Sequence, residues 1–465
     1  MNICKINKTK SVYISAAHKS SGKTIISLGI SSILVNSNYQ VQTFKKGPDY
    51  IDMGWLELSS RRQCYNLDFN TQTKKEIINF YNNKKKEINI IEGNKGLFDG
   101  LDVKGSDDNS AMSILTKSNV LLVIDTQGIT RGIAPLLQGY LNFEKKCNIQ
   151  GIILNKVNSE RHESKLINAV KNYTDLKILG SVRRNKELAI SERHLGLIPA
   201  NEKKLANKKI NQISNIINDS IDKNEFLKIG IDFKENKLAL NLIDDIQIKK
   251  RCIVRIGIFY DKAFGFYYAD DLDTFKKYGA EIVYIDSEKD KSLKKVDAIF
   301  IGGGFPEVNA DNIISNRKLM LEVKNFIENG GPAYAECGGL MYLAKSIKYK
   351  NKTYRMTGII PGAIKMHEKP IGRGYMKLKV KKSHLWGIKE NTLLKAHEFH
   401  HASLKYEKNQ KNKHVYDIAR GYGINGRYDG FVYKNLLANF AHLRHTKKSP
   451  WVKHFINFIK ENVND

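Results

Sequence analysis

The feature that most restricts this chain is a repeated alternation of short, largely apolar runs with longer amphipathic stretches. Residues 11–16, 41–44, 88–91, 120–125, 149–155 and 178–182 are such runs, and segments 24–34 and 131–143 between them space their apolar residues as helices do. A strand that is apolar throughout is buried on both faces, and helices between such strands imply a parallel α/β sheet. The same logic restarts at 254–260, 281–286, 298–302 and 333–336, with helical segments at 270–278 and 317–328. Past Tyr354 strand- and turn-like pieces take over, and a helix is expected near 451–462. Between the halves, residues 223–250 loosen into a charged, Asn- and Lys-rich stretch, where a domain boundary is expected. The expectation is two tandem α/β domains, 1–245 and 252–465.

Length agrees, since 465 residues at roughly 100–200 per domain leave room for two sizeable cores. No stretch reaches the ~18 consecutive apolar residues of a membrane span, and Met1–Lys10 lacks the apolar run of a secretory signal. The five cysteines are scattered without a close pair, which argues against a disulfide framework or a CxxC zinc site and for a reducing cytoplasm. A formal charge of +29 raises nucleic-acid binding, but the lysines run along the whole length without a basic tract interleaved with aromatics. Codon drift toward Lys, Ile and Asn explains that charge better, and a positive field also suits small acidic ligands.

The run 11–16 leads through Ser20-Ser21-Gly22-Lys23-Thr24 into a helix. That is the place of a phosphate-binding loop, whose backbone N–H groups wrap phosphates while Lys23 reaches their oxygens and Thr24 ligates Mg²⁺. A plain loop-to-helix turn with a surface lysine is the alternative. Gly47-Pro48-Asp49-Tyr50-Ile51-Asp52 follows the second strand, and Glu92-Gly93 with Asp99-Gly100 follows the third. In a parallel sheet the carboxyl ends of neighbouring strands meet at one crevice, so Asp49, Asp52, Glu92 and Asp99 can gather on the phosphates with a cation. Each alone is equally a turn residue. Asn155, ending a later strand, either reads a purine edge or merely terminates the strand.

In the second half, Ala335-Glu336-Cys337-Gly338-Gly339 sets Cys337 on a sharp strand-to-helix turn, where a nucleophile is exposed and a helix N-terminus favours its thiolate. A buried, inert thiol is the alternative. Gly302-Gly303-Gly304 follows an earlier strand and can offer N–H groups to an oxyanion. His442 is the candidate base, with His397, His400 and His401 as rivals. The spacing of those three also suggests a metal site, although no further ligand lies nearby.

Taken together, these motifs resemble the cobyrinic acid (hydrogenobyrinic acid) a,c-diamide synthase family over nearly the whole chain. The resemblance rests on Ser21-Gly22-Lys23-Thr24, Gly47-Pro48-Asp49-Tyr50-Ile51-Asp52, Glu92-Gly93 through Gly96-Leu97-Phe98-Asp99-Gly100, and Arg193-His194-Leu195-Gly196-Leu197. It also rests on Gly302-Gly303-Gly304-Phe305-Pro306-Glu307, Ala335-Glu336-Cys337-Gly338-Gly339-Leu340-Met341-Tyr342-Leu343 and His397-Glu398-Phe399-His400.

The resemblance implies a dethiobiotin-synthetase-like P-loop domain followed by a class I, triad-type glutamine amidotransferase domain. Cys337 would attack glutamine and His442 shuttle protons, with Gly303, Gly304 and Gly338 holding the oxyanion. The ammonia would pass internally to the first domain. There Gly22, Lys23, Thr24 and Asn155 would bind ATP, and Thr24, Asp49 and Glu92 would hold Mg²⁺. Tyr50, Asp52 and Asp99 would position substrate and metal while two acetate side chains are amidated. Partners implied are ATP, glutamine and an acidic tetrapyrrole-derived macrocycle, with a homodimer open and neither nucleic acid nor membrane expected.

The sequence departs from the pattern twice. Ala16 stands where many relatives carry the first loop glycine, and Arg444 stands two residues after His442, where class I glutaminases often carry Glu. The orientation of His442 is therefore expected from elsewhere, backbone included. The rival readings are a nickel-sirohydrochlorin a,c-diamide synthase and a P-loop ATPase switch with a degenerate glutaminase domain.

Overall fold

The computed structural model describes residues 9–190, 192–193, 196–197, 203–233, 254–381, 384–408 and 413–463. The chain divides into two compact units, Met1–Ile243 and Asp244–Asp465. In the first, β1 (Thr9–Ala16), β2 (Val41–Lys46), β3 (Tyr65–Leu67), β4 (Ile88–Glu92), β5 (Asn119–Asp125), β6 (Ile149–Val157) and β7 (Lys177–Arg183) form a sheet in the order 3-2-4-1-5-6-7. Every pairing along that path is parallel, as runs apolar on both faces require. The chain moves from β1 outward to β2 on one side and later to β5 on the other. The carboxyl ends of β1, β2 and β4 therefore open on one crevice, where ligands of such sheets bind.

Two helices frame that crevice, α1 (Lys23–Asn36) after β1 and α2 (Ile51–Ser60) after β2. Helix Lys203–Ser220 was not anticipated, although Ala206, Ile210, Ile213 and Ile217 are buried at helical spacing. It packs so closely on α1 that a Cβ on Gly29 would lie 2.5 Å from Ile217. The loosened stretch also begins later than its composition suggests. Lys223–Ile229 is a helix started by the Asp222 side chain, which accepts from the Asn224 and Glu225 N–H groups. Ile231–Phe233 then pairs antiparallel with β1. Charged composition hid the helices because a helix that docks by one apolar face is polar over the rest of its surface. Residues 234–253, and His194 and Leu195 of the Arg-His-Leu-Gly-Leu run, lie outside the described residues.

The second unit is built on a mixed sheet. Strands Ala280–Ile285, Val254–Phe259, Ala298–Ile301, Ala333–Glu336 and Leu436–Asn439 lie side by side and parallel. Tyr428–Tyr433, His414–Arg420, Gly372–Val380 and Leu393–His400 continue it antiparallel. Alternation divides the core between two faces. Ile299, Ile301 and Ala335 join one cluster, while Ala298, Phe300 and Tyr334 join the other. A separate four-stranded sheet, containing Ala344–Tyr349 and Ile360–Met366, packs on the first face. Among the described residues no helix is long and apolar enough to cross a membrane.

Candidate functional site

The loop after β1 turns on Gly22, whose φ of 93° lies in the left-handed region that glycine enters without penalty. Its side-chain-free surface is also needed, because a Cβ there would sit 2.2 Å from Asn155 Nδ2. Asn155 donates that nitrogen to the Ser21 carbonyl at 2.7 Å and is buried. That bond uses one of the two N–H groups of the amide, so Asn155 props the loop and the expectation of a purine contact stands beside that role. Ala16 ends β1 fully buried, and its carbonyl accepts from the Leu97 N–H at 2.8 Å. The missing first glycine is thus compatible with a loop held by its neighbours.

Lys23 is buried and donates to the Lys95 carbonyl at 2.5 Å. Burial, and then the charge of Lys45, lower its pKa to about 8. Lys45, on β2, escaped the motif reading. Its ammonium lies 2.6 Å from Asp52 and 2.6 Å from Glu92. Burial pulls its pKa down, but the two carboxylates outweigh that and hold it well up. Parallel register explains the meeting, since Glu92 on β4 stands opposite Lys45 on β2 and Ile14 on β1.

Thr24 donates to Glu92 Oε1 at 2.9 Å, while the other carboxylate oxygen, Oε2, is buried without a hydrogen-bond partner. A hard cation beside Thr24 satisfies that oxygen, so this pair fits Mg²⁺ completed by phosphate oxygens and water. Asp49 Oδ1 accepts from the Ile51 and Asp52 N–H groups at 3.0 and 2.9 Å as the chain enters α2, which leaves Oδ2 as the oxygen it could offer a cation. Burial and the Asp52 carboxylate push Asp49 up to about 7. Asp99 accepts from the Gly96 N–H at 3.0 Å, and Tyr50 packs on the unit's core.

In the second unit Cys337 follows strand Ala333–Glu336 with φ 47° and ψ −99°, the strained turn of a nucleophile elbow. The turn is crowded enough to demand glycine, since a Cβ on Gly339 would meet the Ile301 carbonyl oxygen at 2.1 Å. One on Gly338 would meet Gly304 N at 2.9 Å. His442 follows the neighbouring strand, and a Cβ on Gly303 would lie 2.5 Å from its Cε1 and 3.3 Å from its Nε2. Cys337, the glycine loop and the Nε2 edge of His442 are thus gathered at one end of the sheet.

One expectation is reversed. Burial first, and then the Glu307 carboxylate, push the Cys337 thiol well up, outweighing the N–H of Gly338. The following helix, Gly338–Leu343, is too short to offset this, so the thiol needs a base to ionise.

The rival histidines have other work. His400 stacks on Phe440 with centroids 4.1 Å apart and contacts the Ala402 carbonyl at 2.8 Å. His401 Nδ1 lies 3.1 Å from the His367 carbonyl. His397 stacks on His442 at 4.8 Å, and burial, then His442 and Arg444, keep it neutral by lowering its pKa well below the ordinary range. Among the described residues no cluster of three or more His, Cys, Asp or Glu side chains could hold a metal.

Two more groups belong to this region, Glu336, given no role in the motifs, and Arg444, the departure noted in the sequence. Glu336, immediately before the nucleophile, places Oε2 3.3 Å from His442 Nδ1. Arg444 is fully buried and donates Nε to Asp270 at 3.0 Å. The register Glu336↔Asn439 could have suggested the first contact, whereas nothing local in the sequence pointed to Asp270.

Comparison with known proteins agrees with this division. Residues 14–198 match the CobQ/CobB/MinD/ParA nucleotide binding domain, and residues 255–450 match the CobB/CobQ-like glutamine amidotransferase domain. The cobyrinate a,c-diamide synthase of Magnetococcus marinus is 36% identical over 456 residues, covering 97% of each chain. That of Archaeoglobus fulgidus is 35% identical, covering 96% of each. That of Listeria monocytogenes is 33% identical, covering 93% of this chain and 98% of its own. With this likeness running through both units and their motifs, the chain belongs to the cobyrinate a,c-diamide synthase family.

Proposed function

We propose that this protein uses ATP and glutamine to convert the a and c acetate carboxylates of cobyrinic or hydrogenobyrinic acid into carboxamides. The observation that carries the reading is the gathering of Cys337, the Nε2 edge of His442 and the Gly303–Gly304 loop at one sheet end. His442 takes the thiol proton as sulfur attacks the carboxamide carbon, and N–H groups of Gly304 and Gly338 hold the resulting oxyanion. His442 returns the proton to the leaving nitrogen, ammonia departs, and water hydrolyses the thioester to glutamate.

In the first unit an acceptor carboxylate attacks the γ-phosphorus of ATP, ADP leaves, and ammonia displaces phosphate from the acyl phosphate. The activation is necessary because a carboxylate resists nucleophiles until one oxygen can leave. Backbone groups around Gly22, with Lys23, bind the phosphates. Lys45 supplies a second buried cation, and Asp49, Tyr50, Asp52 and Asp99 position the acceptor. Thr24 and Glu92, with Asp49, are the groups that would hold Mg²⁺, which would neutralise phosphate charge when bound.

The test is mass spectrometry of product after incubation with ATP, Mg²⁺, glutamine and cobyrinic or hydrogenobyrinic acid. Conversion of two carboxyls to carboxamides is expected. In Cys337→Ala, glutamine-driven conversion falls by at least about 10³-fold while ammonia-driven conversion persists. Equal loss of both would contradict separate sites.

A further inference from the structure

His442 can act as a base at Nε2 only if its other nitrogen carries the proton and its ring is held in place. In class I glutaminases that duty often falls to a Glu two residues after the histidine, and here that position is Arg444. The residue is fully buried, its guanidinium paired with Asp270 and set over the Tyr268 ring at 4.8 Å. A buried arginine in that place cannot orient an imidazole as a carboxylate does.

We infer that Glu336 orients His442, so the residue preceding the nucleophile completes the triad. The proposal rests on the glutaminase reading above. Three observations on the molecule meet at this carboxylate. Its Oε2 lies 3.3 Å from His442 Nδ1, an ion-pair distance short of an aligned hydrogen bond, with both side chains almost wholly buried. Its Oε1 accepts from the Tyr334 hydroxyl at 2.6 Å and from the Leu443 N–H at 2.9 Å, so the carboxylate is clamped from two sides. The opposite edge of the imidazole, Nε2, faces Gly303.

A carboxylate beside Nδ1 favours the tautomer with the proton on Nδ1 and the lone pair on Nε2, and a small rotation of the ring aligns the pair as the imidazolium forms. The same negative charge stabilises the imidazolium formed when Nε2 takes the Cys337 proton. That help is needed here, because the thiol is buried. Neutral His397 packs on one face of the ring and, exchanging backbone hydrogen bonds of 2.8 and 3.3 Å with His442, limits its rotation. Glu336 is therefore a positioning residue, acting through His442 without touching glutamine.

The experiment is steady-state glutaminase kinetics with all substrates present. Glu336→Gln, isosteric and neutral, is expected to lower kcat by about 10²–10⁴-fold with the glutamine KM within about threefold of wild type. Ammonia-driven amidation should persist. Glu336→Asp keeps the charge at shorter reach and should recover at least about tenfold of the loss. A kcat for Glu336→Gln within threefold of wild type overturns the inference. So does equal loss in Glu336→Gln and Glu336→Asp accompanied by a rise in KM. Should Glu336→Gln misfold, Tyr334→Phe removes one clamp alone and should lower kcat by about tenfold at constant KM; unchanged kcat there overturns the inference as well. Cys337→Ala separates the two levels. If it retains glutaminase activity, the underlying reading fails; if it is dead while Glu336→Gln is fully active, only the orienting role fails.

Discussion

Asp49 shows how a single residue can carry a stability cost for its place in the cleft. An Asp in the unfolded chain ionises near 3.9, whereas burial and Asp52 hold Asp49 near 7 in the native protein. Between about pH 4 and 7 the native state therefore keeps a proton that the unfolded chain has released. The stability belonging to the protonated form is full below pH ~4 and is lost as pH rises through 7. Asp49→Asn should thus raise the thermal midpoint at pH 8 more than at pH 5. Solvent screens part of the cost at this half-buried group, so about 1–3 kcal/mol is expected. Thermal melts at both pH values check this, and a gap independent of pH would remove the electrostatic explanation. Ammonia-driven amidation should fall in the same variant. Lys23 offers a parallel kinetic case. With its pKa lowered to about 8, the ammonium deprotonates above that pH, so kcat/KM for ATP should decline with an apparent pKa near 8.

At the scale of elements, both sites depend on turns that have no room for a Cβ. In the first unit the β1–α1 loop closes on Gly22 against Asn155; in the second the Gly302–Gly304 loop closes against His442. Gly22→Ala should lower both glutamine-driven and ammonia-driven amidation by about 10²-fold, since a misplacement of about 1 Å costs that much. Gly303→Ala should lower only the glutamine-driven rate, by a similar factor, because its Cβ would meet His442 Cε1 at 2.5 Å. Assaying both variants with both nitrogen donors checks the contrast. A loss of ammonia-driven turnover in Gly303→Ala would contradict it. The buried strands leading into these turns were legible from apolar runs alone. Helix Lys203–Ser220 and strand Ile231–Phe233 were not, because polar residues outnumber the few buried apolar ones in the helix and three residues are too few to show a period.

On the scale of the whole molecule, the chain holds two units with separate hydrophobic cores, one around Ile14, Leu28 and Ile213 and the others around Ile299 and Phe300. Ligands should stabilise them separately. In calorimetry a nucleotide at 100 times its Kd should add about 2.7 kcal/mol to the transition of the first unit. Alkylation of Cys337 by a glutamine analogue should move only that of the second; a single transition shifted by both would contradict it. What the sequence by itself determined was the α/β class, the GKT loop, the elbow cysteine and the family resemblance. Those signals are local, resting on apolar runs and on residue types within a few positions of each other. Only the tertiary structure decided that Lys45 lies between Asp52 and Glu92, that Asn155 props the loop, and that Glu336 reaches His442. Apart from Lys45 and Asp52, seven residues apart, each of those contacts joins residues distant in the chain. Strand order and register bring them together, and neither is written in any one stretch of chain.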